Sequence, residues 1–250
     1  MSTISQVMPA PLLLHGYAVS NYFNTLRQAL LEKAARFDIV RLRSSRDDAF
    51  LACSPMGKIP FLQTPDGMLS ETLPILEYLE ETESGPRLYP DAPLLRGRAR
   101  QTMNILQLYL DMPMRRLYPG VLANGSNAPE TVQAVAAQLD ISIDALRRLF
   151  VFEPYLLGDR LSCVDLLALY LVDVGDRVTR SVYGWSLIAR IDGLGDWSRL
   201  MMQRESTQIV AAEFVSEFQN YLCDKQAPYR QQHGGGIFAA PARTATAAVA

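Results

Sequence analysis

Residues 54–81 run Ser-Pro-Met-Gly-Lys-Ile-Pro-Phe-Leu-Gln-Thr-Pro-Asp-Gly-Met-Leu-Ser-Glu-Thr-Leu-Pro-Ile-Leu-Glu-Tyr-Leu-Glu-Glu. Two short apolar segments, 59–63 and 68–69, flank Thr64-Pro65-Asp66-Gly67, whose Pro and Gly suit a hairpin turn. The spacing from Glu71 to Thr82 predicts a helix with Leu73, Ile75, Leu76, Tyr78 and Leu79 on its buried side. Pro60 cannot donate to a ladder, so it belongs at a strand start, an edge or a bulge. The Ile59–Pro60 bond is trans by default. A cis bond would turn the Ile59 N–H and C=O outward, where an extended peptide can pair with them. Ser70-Glu71-Thr72 opens the next helix and has two readings. Ser70 or Thr72 can serve as an N-cap. Alternatively, the amides, the Thr72 hydroxyl and the helix dipole favour a carboxylate while Glu71 suits an ammonium, together matching one α-amino acid end.

Outward from this stretch the texture divides. Toward the N-terminus, Leu12-Leu13-Leu14-His15-Gly16 predicts a short buried strand. Apolar residues at 22, 23, 26, 29, 30 and 34 predict a helix from Asn21 to Ala35. Alternation over 38–42 predicts a second strand, and 46–52 a helical turn. Past residue 94 the strand pattern stops: 94–117, 129–152, 162–174 and 197–221 all predict helices. Ser162-x-x-Asp165 resembles a capping box with Asp in the usual Glu position, a folding signal. Pro86, Pro90 and Pro93 punctuate the change. The expected organisation is therefore a mixed α/β domain over 10–86, a linker over 87–98 and an all-helical domain over 99–223. A tail over 224–250 is expected to be disordered, since Gly234-Gly235-Gly236 and the Ala/Thr/Pro-rich end have little to bury.

Between the first strand and the first helix stands Tyr17-Ala18-Val19-Ser20-Asn21. Ser20 occupies an N-cap position, where its hydroxyl would accept from an early amide and stabilise the helix by about 1 kcal/mol. The same place also suits chemistry. A helix N-terminus lowers the pKa of a thiol beside it, and a serine hydroxyl can donate to the thiolate. A hydrogen bond to a charged group contributes about 1.5–3 kcal/mol, or roughly one to two pKa units. A thiol of pKa about 8.5 is about 3% ionised at pH 7; two units lower, it is about three-quarters ionised.

Composition excludes several function classes. The chain has 250 residues, with 24 Lys+Arg against 26 Asp+Glu for a net charge of −2. That balance argues against nucleic acid as a partner, and no like-charge run suggests a membrane anchor. Cys53, Cys163 and Cys223 form no C-x-x-C or Cys/His cluster, so no metal site is expected and a reducing, cytoplasmic compartment fits. The N-terminus lacks the pattern of a signal peptide. No phosphate loop or dinucleotide fingerprint is present. With only His15 and His233, a Ser–His–Asp triad has little to draw on.

The ordered set at 12–33, 54–81, 155–169 and 194–204 resembles the glutathione transferase superfamily, and within it the bacterial branches with serine after the first strand. The resemblance covers about 12–222. It implies a thioredoxin-like N-terminal domain followed by a helical-bundle C-terminal domain, glutathione as co-substrate, a small apolar electrophile bound between the domains, a homodimer, and a role in detoxification. It assigns Ser20 as the catalytic residue, and Ile59, Pro60, Glu71, Thr72 and Lys58 to glutathione. Asn21 stands where many relatives have Pro, and Ser54 where many have Asn. Tyr17 or Tyr22 lies close enough to replace or assist Ser20. For the electrophile the expected wall comes from the helix at 99–117, through Leu106, Tyr109, Met112 and Met114. The superfamily also implies two alternatives: a non-catalytic binding or regulatory member, or a glutathione-dependent isomerase, peroxidase or dehalogenase.

Overall fold

The computed structural model describes residues 11–229 and 235–238. The first half holds β1 (Leu12–Gly16), α1 (Asn21–Glu32), β2 (Phe37–Arg41), α2 (Asp48–Cys53), β3 (Phe61–Thr64), β4 (Gly67–Ser70) and α3 (Thr72–Thr82). The strands form one sheet in the order β2-β1-β3-β4. β1 and β2 are parallel, whereas β3 is antiparallel to both β1 and β4. Thr64 pairs with Gly67, and the Thr64 hydroxyl accepts from the amides of Asp66 (3.1 Å) and Gly67 (3.2 Å), closing the hairpin. The period-two pattern sends Leu12, Leu14 and Leu62 into the core with Leu26, Leu30, Ile75 and Leu79. His15 and its pair Phe61 face the other way, stacked at 4.3 Å, with Phe50 of α2 edge-on to Phe61.

All later regular elements among the described residues are helical. They are α4 (Pro93–Asn104), a π-helical segment (Ile105–Asp111), α5 (Met112–Arg115), α6 (Tyr118–Leu122), α7 (Pro129–Leu149), α8 (Cys163–Tyr183), a 3-10 turn (Ile188–Arg190), α9 (Leu194–Met202) and α10 (Glu205–Asp224). The helix expected over 94–117 is thus interrupted by π geometry, and the one expected over 197–221 is split. The split falls at Arg204, whose guanidinium reaches Glu32 at 2.6 and 2.8 Å and the Tyr155 hydroxyl at 3.0 Å. No Gly or Pro marks that break, so the sequence pattern runs through it.

Helix α1 joins the two halves, and its far face is polar. Gln28 is fully buried, donates to the hydroxyls of Ser206 (3.1 Å) and Thr207 (2.8 Å), and accepts from Tyr170 (2.8 Å). Arg27 pairs with Glu213 at 2.6 Å. At the base of α8, the buried Asp165 carboxylate accepts from the amides of Leu156 and Ser162, the Ser162 hydroxyl and the Trp197 indole, all at 2.8–2.9 Å.

Of the tail expected over 224–250, residues 230–234 and 239–250 lie outside the described residues, while the described pieces pack against the helical half. Ala227, Tyr229 and Phe238 are 1–3% exposed. The Tyr229 amide donates to the Val121 carbonyl at 3.1 Å. Three aromatic or apolar side chains are enough to anchor these pieces in an existing core.

Two outcomes follow. Asp165→Ala leaves two buried amides and an indole N–H without their acceptor and should cost about 3–5 kcal/mol, read as a lowered urea midpoint. Burial holds the His15 imidazole below its usual 6.5, outweighing the effect of Gln63. The unfolded chain therefore takes up the His15 proton first, and stability is lost as pH falls below about 6.5. His15→Phe should narrow the difference in urea midpoint between pH 7.5 and pH 5.5; an unchanged difference would contradict the assignment.

Candidate active site

The first turn of α1 opens onto a cavity because the chain leaves β1 through Gly16 and enters the helix at Ser20. Ser20 is the N-cap, with extended backbone (φ −77°, ψ 118°), and its Oγ accepts from the Phe23 amide at 3.3 Å. That bond uses a lone pair of the hydroxyl and leaves its proton available to another acceptor. Capping and donation are compatible uses of the one group. The Asn24 amide group fixes the preceding turn by donating to the Ala18 carbonyl at 2.7 Å.

The second segment is Ser54–Pro60. Ser54 is buried, and its hydroxyl donates to the Lys58 carbonyl at 2.7 Å, while the Gly57 amide donates to the Ser54 carbonyl at 2.7 Å. Gly57 has φ +65°, and a Cβ there would stand 2.5 Å from the Ser45 carbonyl oxygen, so glycine is required twice over. The Ile59–Pro60 bond is cis. Among the described residues, Ile59 takes no backbone partner.

The third segment corrects an expectation. Neither Ser70 nor Thr72 caps α3: Glu71 holds the N-cap position at φ +73°, with no side-chain cap bond. A non-glycine residue in that region costs on the order of 1–3 kcal/mol, and such strain clusters at functional sites. Glu71 is exposed and Thr72 buried at the helix mouth.

These segments form one side of a cavity of about 650 Å³. Ser20, Lys58, Ile59, Pro60, Glu71, Thr72, Tyr17, Tyr22 and Met112 all line it. Tyr109 does not; it is half exposed on the outer side of the π segment. The reason is the i→i+5 winding over Ile105–Asp111, which rotates side chains off the 3.6-residue ladder assumed from sequence. Leu106 and Met114 are fully buried in the core rather than on the wall. Cys53 and His15 also lie off the cavity, and His233 falls outside the described residues.

The two phenols beside Ser20 differ. The Tyr22 hydroxyl donates to Asp111 at 2.8 Å, and burial together with the Asp111 charge pushes its pKa far up. Its proton is therefore committed. Tyr17 lies beneath the Arg43 guanidinium, 5.3 Å from its ring centroid. Burial raises the Tyr17 pKa, with Arg43 working against it.

Sequence reasoning missed a charged wall. Asp111 is fully buried and also accepts from the Tyr118 hydroxyl (3.1 Å) and from Arg115 (2.6 Å). Arg115 continues to the Asn21 side-chain oxygen at 3.0 Å and lies against the rings of Tyr22 and Tyr118. On α8, Asp173 and Arg177 form a bidentate pair at 3.0 Å that lines the far end of the cavity with Phe214 and Phe218. The available signal was the i,i+4 acid–base spacing of Asp111/Arg115 and Asp173/Arg177 within otherwise apolar runs. Among the described residues, no group of His, Cys, Asp and Glu could hold a metal ion, and no helix is long and apolar enough to cross a membrane.

Residues 14–87 match the family model described as glutathione S-transferase, N-terminal domain. A glutathione S-transferase of Pseudomonas putida is 35% identical over 178 residues, covering 71% of this chain and 81% of the relative. A maleylacetoacetate isomerase of Pseudomonas aeruginosa is 26% identical over 151 residues, covering 60% of this chain and 71% of the relative. A Tau class glutathione S-transferase from mango has the same fold, with a TM-score of 0.71 at 21% identity, over 86% of this chain and all of that one. With a thioredoxin-like sheet domain leading into a helical domain, and a relative of this identity and coverage, the chain belongs to the glutathione S-transferase family.

Proposed function

We propose that this chain is a glutathione transferase that conjugates the glutathione thiolate to a small, largely apolar electrophile. The observation that carries this reading is the Ser20 hydroxyl, oriented by its bond from the Phe23 amide and set on the cavity wall at the mouth of α1. Ser20 donates to the thiolate and lowers its pKa; it is not the nucleophile. Glu71 and the mouth of α3 hold the α-amino acid end, the Ile59 backbone pairs with the peptide, and Lys58 faces the glycine carboxylate. The rest of the cavity, walled by Met112, Val174, Phe214 and Phe218, takes the electrophile. Thiolate activation supplies about 25-fold. Holding both reactants in line supplies the remainder. Tyr22, its hydroxyl donating to Asp111, positions Arg115 instead of competing with Ser20.

The isomerase reading has one observation in its favour besides the isomerase relative. Arg115 places a cation on the electrophile side of the cavity, which suits an unsaturated substrate with an anionic end. A panel of electrophiles and unsaturated acids with glutathione separates the two by product: a conjugate that persists, or an isomer with glutathione returned.

The same reading makes the protein a cytoplasmic homodimer. Exposed Met68 on β4 and exposed Leu94 and Leu95 at the start of α4 leave apolar surface available for association. Sedimentation should give about twice the 27.9 kDa chain mass. For the chemistry, the ultraviolet band of bound thiolate titrated against pH should shift up by about one to two units in Ser20→Ala. An unchanged titration would remove Ser20 from the mechanism.

A further inference from the structure

The segment Gly235–Phe238 is unexplained by the reading above, yet it is bound to Asp173 on the cavity wall and to its neighbour Asp176. The amides of Ile237 (2.6 Å) and Phe238 (2.9 Å) both donate to Asp173 Oδ1, and the Gly236 amide donates to Asp176 at 2.9 Å. Asp173 thereby receives two backbone donors in addition to the bidentate Arg177. Gly235 and Gly236 have φ of +100° and +81°, and a Cβ on Gly236 would stand 2.5 Å from the Arg177 guanidinium carbon. Glycine is what lets the backbone lie flat on that side chain. The segment ends on Phe238, which is 3% exposed. Its ring stacks on Tyr170 and meets Phe214 edge-on, both at 5.5 Å. Tyr170 and Phe214 line the cavity; Phe238 packs on both and does not line it.

We propose that Gly235–Phe238 is a pinned strap whose Phe238 ring positions the aromatic end-wall of the electrophile site, and so sets how long a substrate the cavity accepts. The strap's bonds run to two carboxylates on one helix, α8: Asp173, which lines the cavity, and Asp176, which lies one turn along the helix and off the cavity. Phe238 touches no reactant on this account. It is a positioning residue that acts through Tyr170 and Phe214. This inference rests on the glutathione transferase reading, and its test is chosen to separate the two.

The probe is a series of S-alkylglutathiones of rising chain length, with binding measured by calorimetry. Each methylene that finds apolar contact adds about fourfold in affinity, up to the length at which the chain meets the end-wall. In Phe238→Ala that limit should lengthen by about two methylenes, in Phe238→Leu by about one, and in Phe238→Tyr not at all. Affinity for the shortest member should be the same in all four proteins, a pattern that general destabilisation does not produce. The leucine variant decides the question alone if the alanine variant does not fold. A length limit that does not move in a folded Phe238→Ala or Phe238→Leu protein overturns the strap proposal and leaves the transferase reading standing. Absence of binding at every length, wild type included, overturns the glutathione reading and the strap role with it.

Discussion

The hydrogen bond from the Phe23 amide to the Ser20 hydroxyl oxygen is the point on which the site depends. It caps the start of α1 and turns the Ser20 hydroxyl proton away from the helix, where it stays free to meet another acceptor. Without it the first turn would expose its amides to water, and the hydroxyl would rotate freely. The cap and the proposed chemistry draw on opposite ends of the same O–H group, so folding prepares the donor at no further cost in order. Preorganised donors of this kind do not have to reorient as charge develops on the atom they face.

The rest of the structure holds α1 in place against two surfaces with different chemistry. Toward the sheet its contacts are apolar, through Phe23, Leu26 and Leu30. Toward the helical half they are polar, through Gln28 and Arg27, with each buried donor and acceptor of Gln28 matched to a hydroxyl. Polar matching of this type fixes register more sharply than apolar contact, since a slip would leave a buried amide unpaired. The cavity lies at the end of that joint. Its walls therefore come from both halves, with Ser20 and Ile59 on one side and Met112, Arg115 and Phe214 on the other.

Legibility in the sequence followed the range of the forces involved. The strand pattern, the hairpin, α1 and α3 are local matters of period and turn chemistry, and Pro65-Asp66, Leu12/Leu14 and Ile75/Leu76/Leu79 were enough to place them. The residues around Ser20, Ile59-Pro60 and Glu71-Thr72 sit at element ends, where backbone groups are free; local physics left capping open beside binding, the resemblance chose between them, and the structure brings all of them to one cavity. What stayed hidden was set by tertiary contact. The π winding at Ile105–Asp111 carries no breaker residue, so Tyr109 was assigned to a wall that it faces away from. The break at Arg204 follows from Glu32 and Tyr155, more than 40 residues away in sequence. Phe238 looked like part of a tail because its partners, Asp173 and Tyr170, lie on α8.

On the proposed mechanism, binding in this cavity ionises the glutathione thiol. Calorimetry in buffers of differing ionisation enthalpy counts the proton directly. At pH 7, where free thiol is about 3% ionised and the bound form about three-quarters, the account predicts release of about 0.7 proton per glutathione bound. Binding with no proton released would contradict it.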